Sequence, residues 1–305
     1  MTEPHATTRP LARIDLSGVE PGWLWHHYSD GSLEAGPFKD WFDAFCHPHW
    51  GAHTYWSVAP SESDGEGQGP YLLCKLGDRM LLTGDRHWRD CTISAGVRQF
   101  FCWNISPSVN LSYRADCLNG LALRVRDVRS YYFLCLENYD RVTLYRIEDD
   151  EQTILGQVFT PLDRTRFHQL SAHCRGDRIT CSLDGRQVFS VADDTYPAGW
   201  FGLRSNSKSG FLDVQVTTDE PAWQGHVSRM GARDRELAAL RERYPQPVLV
   251  REIPRPFDGP GSLQLRRAEA RGQAPGADGG EWGFFWLDAD LRRAAAADME
   301  GQIRW

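Results

Sequence analysis

The chain has 305 residues, enough for one large or two ordinary domains and for a full hydrophobic core. Its 34 basic residues, 31 Arg and only 3 Lys, stand against 41 acidic ones, so the net charge is −7; without a Lys/Arg cluster, this excludes a nucleic-acid groove or an anionic-membrane surface as the main function. With 41% hydrophobic and 25% charged residues the composition is globular, no apolar run approaches the roughly 20 residues of a bilayer span, and Met1 to Gly18 holds no apolar leader core, so the expectation is a cytoplasmic protein, or a secreted one if the chain is a processed fragment.

Residues 1–40 read as an N-terminal extension. Cys46, His47, His49 and His53 are the most metal-like group, because thiolate and imidazole suit zinc, but their spacing is wrong for a structural finger and Pro48 stiffens it; they read as local packing. Ser61 to Gly69 is a Gly/Ser/acid-rich exposed loop. From Tyr71 to Thr218 short β-type segments alternate with turn chemistry. Leu121, Leu123 and Val125 alternate with Ala122, Arg124 and Arg126, which predicts a strand with one buried face. Tyr131 to Asn138 is apolar on both faces and is expected at a sheet centre, paired with Arg141 to Ile147 through a Tyr139-Asp140 turn. The acidic run Glu148 to Glu151 reads as a solvated turn. Phe167 to Cys174, Ile179 to Leu183 and Arg186 to Val191 form a meander whose turns are Gly176-Asp177 and Asp184-Gly185. Gly199 to Ser205 and Phe211 to Val216 are its last strands, and such spacing argues an all-β sandwich. After Thr218 the pattern changes to a linker, 219–247, with a short helix over Ala232 to Arg243 stopped by Pro245 and Pro247. Residues 248–305 carry further strand-like stretches, too few for a stable β domain of their own.

The eight cysteines are either a disulfide framework or small core residues. Cys174 and Cys181 fall on the apolar sides of their strands and, with a two-residue turn at Gly176-Asp177, lie diagonal to each other; Cys135 sits inside an apolar strand. Reduced core cysteines are therefore expected.

The runs GLALRVRDVRSYYFLCLEN, DRVTLYRI and RFHQLSAHCRGDRITCSLDGRQVFSVADDTYPAGWFGLRSNSKSGFLDVQV carry three motifs in order: Gly-Leu-x-x-Arg at 120–124, x-Leu-Asp-Gly at 182–185, and Gly-x-x-Gly-Leu-Arg before a Phe-x-Asp strand at 199–213. In these, residues 41–218 resemble the laminin-G-like, concanavalin A-like lectin/glucanase superfamily. The resemblance implies a two-sheet jelly roll with a concave face that binds glycans or proteins and in some branches hydrolyses glycans. The tail from PVLVREIPRPFDGPGSLQLRRAEA onward is similar to the first blade of a rhamnogalacturonan lyase-like or FG-GAP propeller, which implies a further C-terminal domain; Arg271 to Gly280 lacks the carboxylates of that family's calcium loop.

Glycan hydrolysis needs two carboxyl groups about 5 to 9.5 Å apart. The Glu-x-Asp-x-x-Glu motif of the hydrolytic branch is absent from this sequence. The expectation is a non-catalytic carbohydrate-binding module. The alternatives are the front part of a polysaccharide lyase or hydrolase with its catalytic groups in the propeller, and a structural or protein-interaction sandwich. Sugars stack on aromatic rings while guanidinium and carboxylate groups bond hydroxyls, so Trp103, Arg124, Tyr132, Glu137 and Arg204 are the expected ligand residues, favouring an acidic pectic glycan if the arginines are unpaired. The resemblance further implies a structural Ca²⁺ at the sheet rim, with Asp43 and Asp213 as its carboxylates.

Overall fold

The computed structural model describes residues 8–23, 37–38, 40–44, 56–60, 70–75, 79–101, 103–106, 111–114 and 117–243. Zinc-like Cys46 to His53, the Ser61 to Gly69 loop and the tail from 248 lie outside the described residues. In chain order the strands are β1 (Thr8–Arg13), β2 (Gly22–Trp23), β3 (Trp41–Asp43), β4 (Trp56–Ala59), β5 (Tyr71–Cys74), β6 (Arg79–Thr83), β7 (Cys91–Phe101), β8 (Trp103–Ser106) and β9 (Leu111–Arg114). They continue as β10 (Leu118–Asp127), β11 (Ser130–Glu137), β12 (Arg141–Glu148), β13 (Glu151–Phe159), β14 (His168–Arg175), β15 (Arg178–Leu183), β16 (Arg186–Ala192), β17 (Trp200–Ser205) and β18 (Lys208–Asp219), followed by one helix, α1 (Glu220–Arg243). The sheets belong to a compact unit that ends at Glu220, and the helix from Pro221 belongs to a second unit.

The jelly-roll sandwich expected from the sequence is the fold that forms. One sheet runs β16, β15, β14, β7, β18, β5, β4, β2, with β1 also paired to β18; the other runs β13, β12, β11, β10, β17, β6, β3. Neighbours in both are antiparallel. Consecutive strands β10 to β13 meander along one sheet and β14 to β16 along the other. β17 and β18 then enter beside β10 and β7, which ties late sequence into the middle of both layers.

Alternation explains the inner faces. Ile93, Ala95 and Val97 of β7, Leu170, Ala172 and Cys174 of β14, Leu121 and Leu123 of β10, and Tyr132, Leu134 and Leu136 of β11 join one buried cluster between the layers. Cys174 pairs with Ile179 and Ala172 with Cys181, so the two cysteines are diagonal as read from the turn. At the next turn Asp184 and Gly185 both have positive φ, +49° and +77°, the backbone that a two-residue Asp-Gly hairpin demands.

The structure departs from the expectation in four places. The sandwich begins at Thr8: β1 pairs with β18 and β2 with β4, so part of the N-terminal extension is sheet. Glu151 is a strand residue, because Asp149 and Asp150 alone make the tight turn with φ of +52° and +71°, and β13 follows. The helix starts at Glu220, 12 residues ahead of Ala232, with Pro221 in its first turn where a missing N–H costs no hydrogen bond. Cys74, Cys91, Cys135, Cys174 and Cys181 are free and buried. Cys117, however, is disulfide-bonded, so the cysteines are not all reduced.

Candidate functional site

The residues expected to bind a ligand divide between core and surface. Arg124 is fully buried. Its φ is +46°, and both ladders of β10 shift register around it, between Leu123 and Asp127 toward β11 and between Ala122 and Val125 toward β17. The bulge interrupts the alternation that would have aimed Arg124 at the outer face. Its guanidinium instead donates to the carbonyls of Arg89 (3.2 and 3.1 Å), Gly176 (2.7 Å) and Tyr196 (3.3 Å), with the Asp90 carboxylate at 3.9 Å. Tyr132 points into the core between the sheets. Its hydroxyl donates to Asp193 and accepts from the Tyr196 amide at 3.1 Å, while Asp193 also takes a 2.8 Å bond from Arg146. Arg124 and Tyr132 thus hold loops to strands, and neither reaches a ligand surface.

Glu137 and Arg204 do share a face, the outer one of the seven-stranded sheet. Gly120 and Ala122 on the intervening strand carry almost no side chain, so Arg204 crosses β10 and lies 5.1 Å from the ring centres of both Tyr131 and Phe133. Glu137 accepts from Thr143 (2.6 Å) and Tyr145 (2.9 Å), and Gln157 donates to Thr143 (3.0 Å). This face is closed: Glu137, Thr143, Tyr145, Tyr131 and Phe133 are all buried. Trp103 lies in β8, which among the described residues pairs with β9 in a separate hairpin.

The open concavity is on the outer face of the other sheet. A cavity of about 660 Å³ is lined by Arg13 to Ser17, Pro70, Gly96, Arg166, Phe167, Gln169, Asp184, Leu212 and Asp213. Each wall has a local cause. After β1 the Ile14 amide donates to the Val214 carbonyl at 3.0 Å, docking the following loop, and Asp15 accepts from the Ser17 amide and hydroxyl at 3.0 and 2.6 Å. Those Ser17 bonds hold the Asp15 carboxyl below the usual carboxylate range. A register shift between Leu212 and Gln215, with φ +50° at Asp213, turns that carboxylate outward at the cavity wall.

Asp184 is the hub of the far wall. It accepts from Arg166 at 2.7 Å, His168 Nδ1 at 3.0 Å and the Gln169 amide at 2.9 Å. Burial alone would raise its pKa, but the bonds from Arg166, His168 and Gln169 outweigh this and lower it to about 2. His168 itself is buried, its Nε2 on the Asp163 carbonyl at 3.1 Å. Of the expected residues only Asp213 lies in this cavity. Arg13, Asp15, Arg166, Gln169 and Asp184 were missed because they come from three distant segments of the chain, and Asp-Gly at 184–185 carries only a turn signal.

Asp43 and Asp213 stand in different sheets, β3 and β18. Among the described residues no group of three or more His, Cys, Asp or Glu is placed to hold a metal ion.

The molecule is thus defined as an antiparallel β-sandwich with a polar, ion-paired cavity on one outer face. No protein-family model matches the chain. The levanase of Bacillus subtilis (strain 168) is 27% identical over 79 residues, 26% of this chain and 12% of the levanase. Among solved structures, the carbohydrate-binding module CBM66 from Bacillus subtilis is similar at 18% identity, covering 58% of this chain and 94% of that one, with a TM-score of 0.43. Domain 4 of AbnA, a GH43 extracellular arabinanase from Geobacillus stearothermophilus, solved with arabinotriose, is 10% identical over 70% of this chain and 93% of that one, also at a TM-score of 0.43. The alginate lyase AlgAT5 of polysaccharide lyase family 7 is 10% identical over 59% of this chain and 94% of that one, at a TM-score of 0.39.

Proposed function

We propose that the sandwich is a carbohydrate-binding module whose sugar occupies the cavity on the nine-stranded sheet. The observation that carries this reading is the cavity wall itself. Carboxylates held in place at Asp15 and Asp184, with the exposed one of Asp213, accept from sugar hydroxyls, the Arg166 guanidinium donates to them, and Phe167 offers an apolar flank. Because Arg166 and Asp184 hold each other before any ligand arrives, little side-chain freedom is lost on binding. The segment similar to a levanase supports the same class of ligand.

Binding is favoured over hydrolysis by the state of the carboxylates. A glycosidase needs one carboxyl kept protonated as general acid, through a raised pKa. Asp184 is held at about 2 and Asp15 is also lowered, so neither keeps a proton to give at neutral pH. The reading is tested on an array of neutral and acidic oligosaccharides. Wild type is expected to bind, and Arg166→Ala to weaken its hits at least tenfold, about 1.4 kcal/mol. Retention of every hit by the folded variant would move the site elsewhere.

A further inference from the structure

The cavity continues into a second feature on the same sheet. Phe167, on the cavity wall, packs on Tyr71 with ring centres 5.4 Å apart, and Tyr71 packs on Phe100 at 5.9 Å. Phe100 and Phe167 are half-buried over a small apolar cluster of Ala59, Tyr71 and Leu73. Gly210 makes room for both rings: a Cβ there would come within 3.0 Å of Phe167 and 3.1 Å of Phe100. Two cations lie over Phe100, the Arg98 guanidinium 4.7 Å and the exposed Lys208 ammonium 5.2 Å from its ring centre.

The two features are collinear. Along β7 the outward residues after Gly96, on the cavity floor, are Arg98 and Phe100; along β18 Leu212 pairs with Gly96 and Gly210 with Arg98, and past a register shift Lys208 pairs with Phe101, its ammonium over the Phe100 ring. Gly96 to Phe100 is four residues, roughly 13 Å of strand, which leaves room for more than one sugar unit. The described lining of the cavity includes three aspartates and two arginines, while Arg98, whose Nε donates to the Arg164 carbonyl at 2.9 Å, and Lys208 stand beside Phe100.

We infer that a bound glycan chain runs from the cavity along β7 and β18 onto Phe167 and Phe100, where Arg98 and Lys208 receive an anionic sugar unit. This rests on the carbohydrate reading of the cavity and adds to it a length and a polarity: a neutral unit at the aspartates, a uronate beside Phe100. The carboxylate of that unit meets two cations, and its apolar C–H face packs against the half-buried Phe167 ring at the cavity wall.

The test uses neutral oligosaccharides of one to five units, each with and without a terminal glucuronic or galacturonic acid, arrayed against wild type, Lys208→Gln and Arg166→Ala. The expected result is that uronate-bearing chains of three or more units bind at least fivefold tighter than their neutral parents. This preference should fall toward one in Lys208→Gln and with rising salt. Neutral chains that bind and are lost in Arg166→Ala, with no gain from length or uronate, would overturn the track and leave the cavity reading standing. Silence of the whole array would overturn both.

Discussion

Arg124 illustrates how far a single backbone angle can move a charge from its expected role. Read by alternation it belongs on the outer face, yet its left-handed φ of +46° turns it toward three carbonyls from three loops. Its guanidinium ties those loops together from inside the fold. Arg124→Ala removes all of these bonds and leaves a cavity where the buried side chain lay, and the expected loss is about 3 kcal/mol, read as a drop of roughly 10 °C in the melting temperature. A variant as stable as wild type would show that the carbonyls find other donors. Asp184 makes the complementary prediction in pH. Its folded pKa, about 2, lies below the ordinary 3.8, so its contribution to stability is present above pH 4 and lost as pH falls through 4 toward 2. Asp184→Asn should therefore melt lower than wild type at pH 6, with the gap closing between pH 4 and 2. A gap that persists undiminished at pH 2 would mean that the carboxylate's charge is not what stabilises the turn.

At the scale of elements, what the sequence made legible tracks how local the signal was. The meander of β14 to β16 was visible because each turn has its own Asp or Gly and each strand buries every second residue. β11 was placed at a sheet centre by its two apolar faces, but that same feature hid which face carries Tyr132; parity is uninformative where both faces are buried. β13 was missed because its side chains are exposed or half-buried along an edge, so no burial pattern marks it. The α1 helix was placed too late because its first half, with Gly225 and Gly231, lacks an apolar stripe. Gly120 shows a constraint that only the assembled sheet reveals. A Cβ there would sit 2.1 Å from the Leu134 carbonyl oxygen and 2.7 Å from the Cys135 Cα, both backbone atoms that a strand ladder holds in place. The motif glycine at 120 thus marks a close approach of β10 to β11, a structural demand and not a ligand contact.

Over the whole molecule, the cavity is a product of topology and was the least legible part. Its walls come from β1, β7, β14, β18 and the loops between them, positions as far apart as Arg13 and Asp213, and only the sheet order brings them together. The first strand is therefore both fold and site. Thr8 pairs with Asp219 and Arg13 with Gln215, so the sandwich closes by joining nearly its first strand to its last. Ala12, Ile14 and Leu16 bury themselves in the core cluster beside Val214 and Val216. A chain starting at Trp41, where the sequence pattern first suggested the sandwich begins, would forfeit that burial. Removing Ile14 and Leu16 alone costs on the order of 5 kcal/mol. That is a third or more of the roughly 5 to 15 kcal/mol that holds a domain together. It would also remove Arg13, Asp15 and Ser17 from the cavity wall. The truncated chain is expected to melt at least 10 °C below the full chain and to lose every array hit that depends on Arg166. A chain that begins at Trp41 and keeps both its melting temperature and its sugar binding would show that β1 merely lies against β18, and that the site is complete without it.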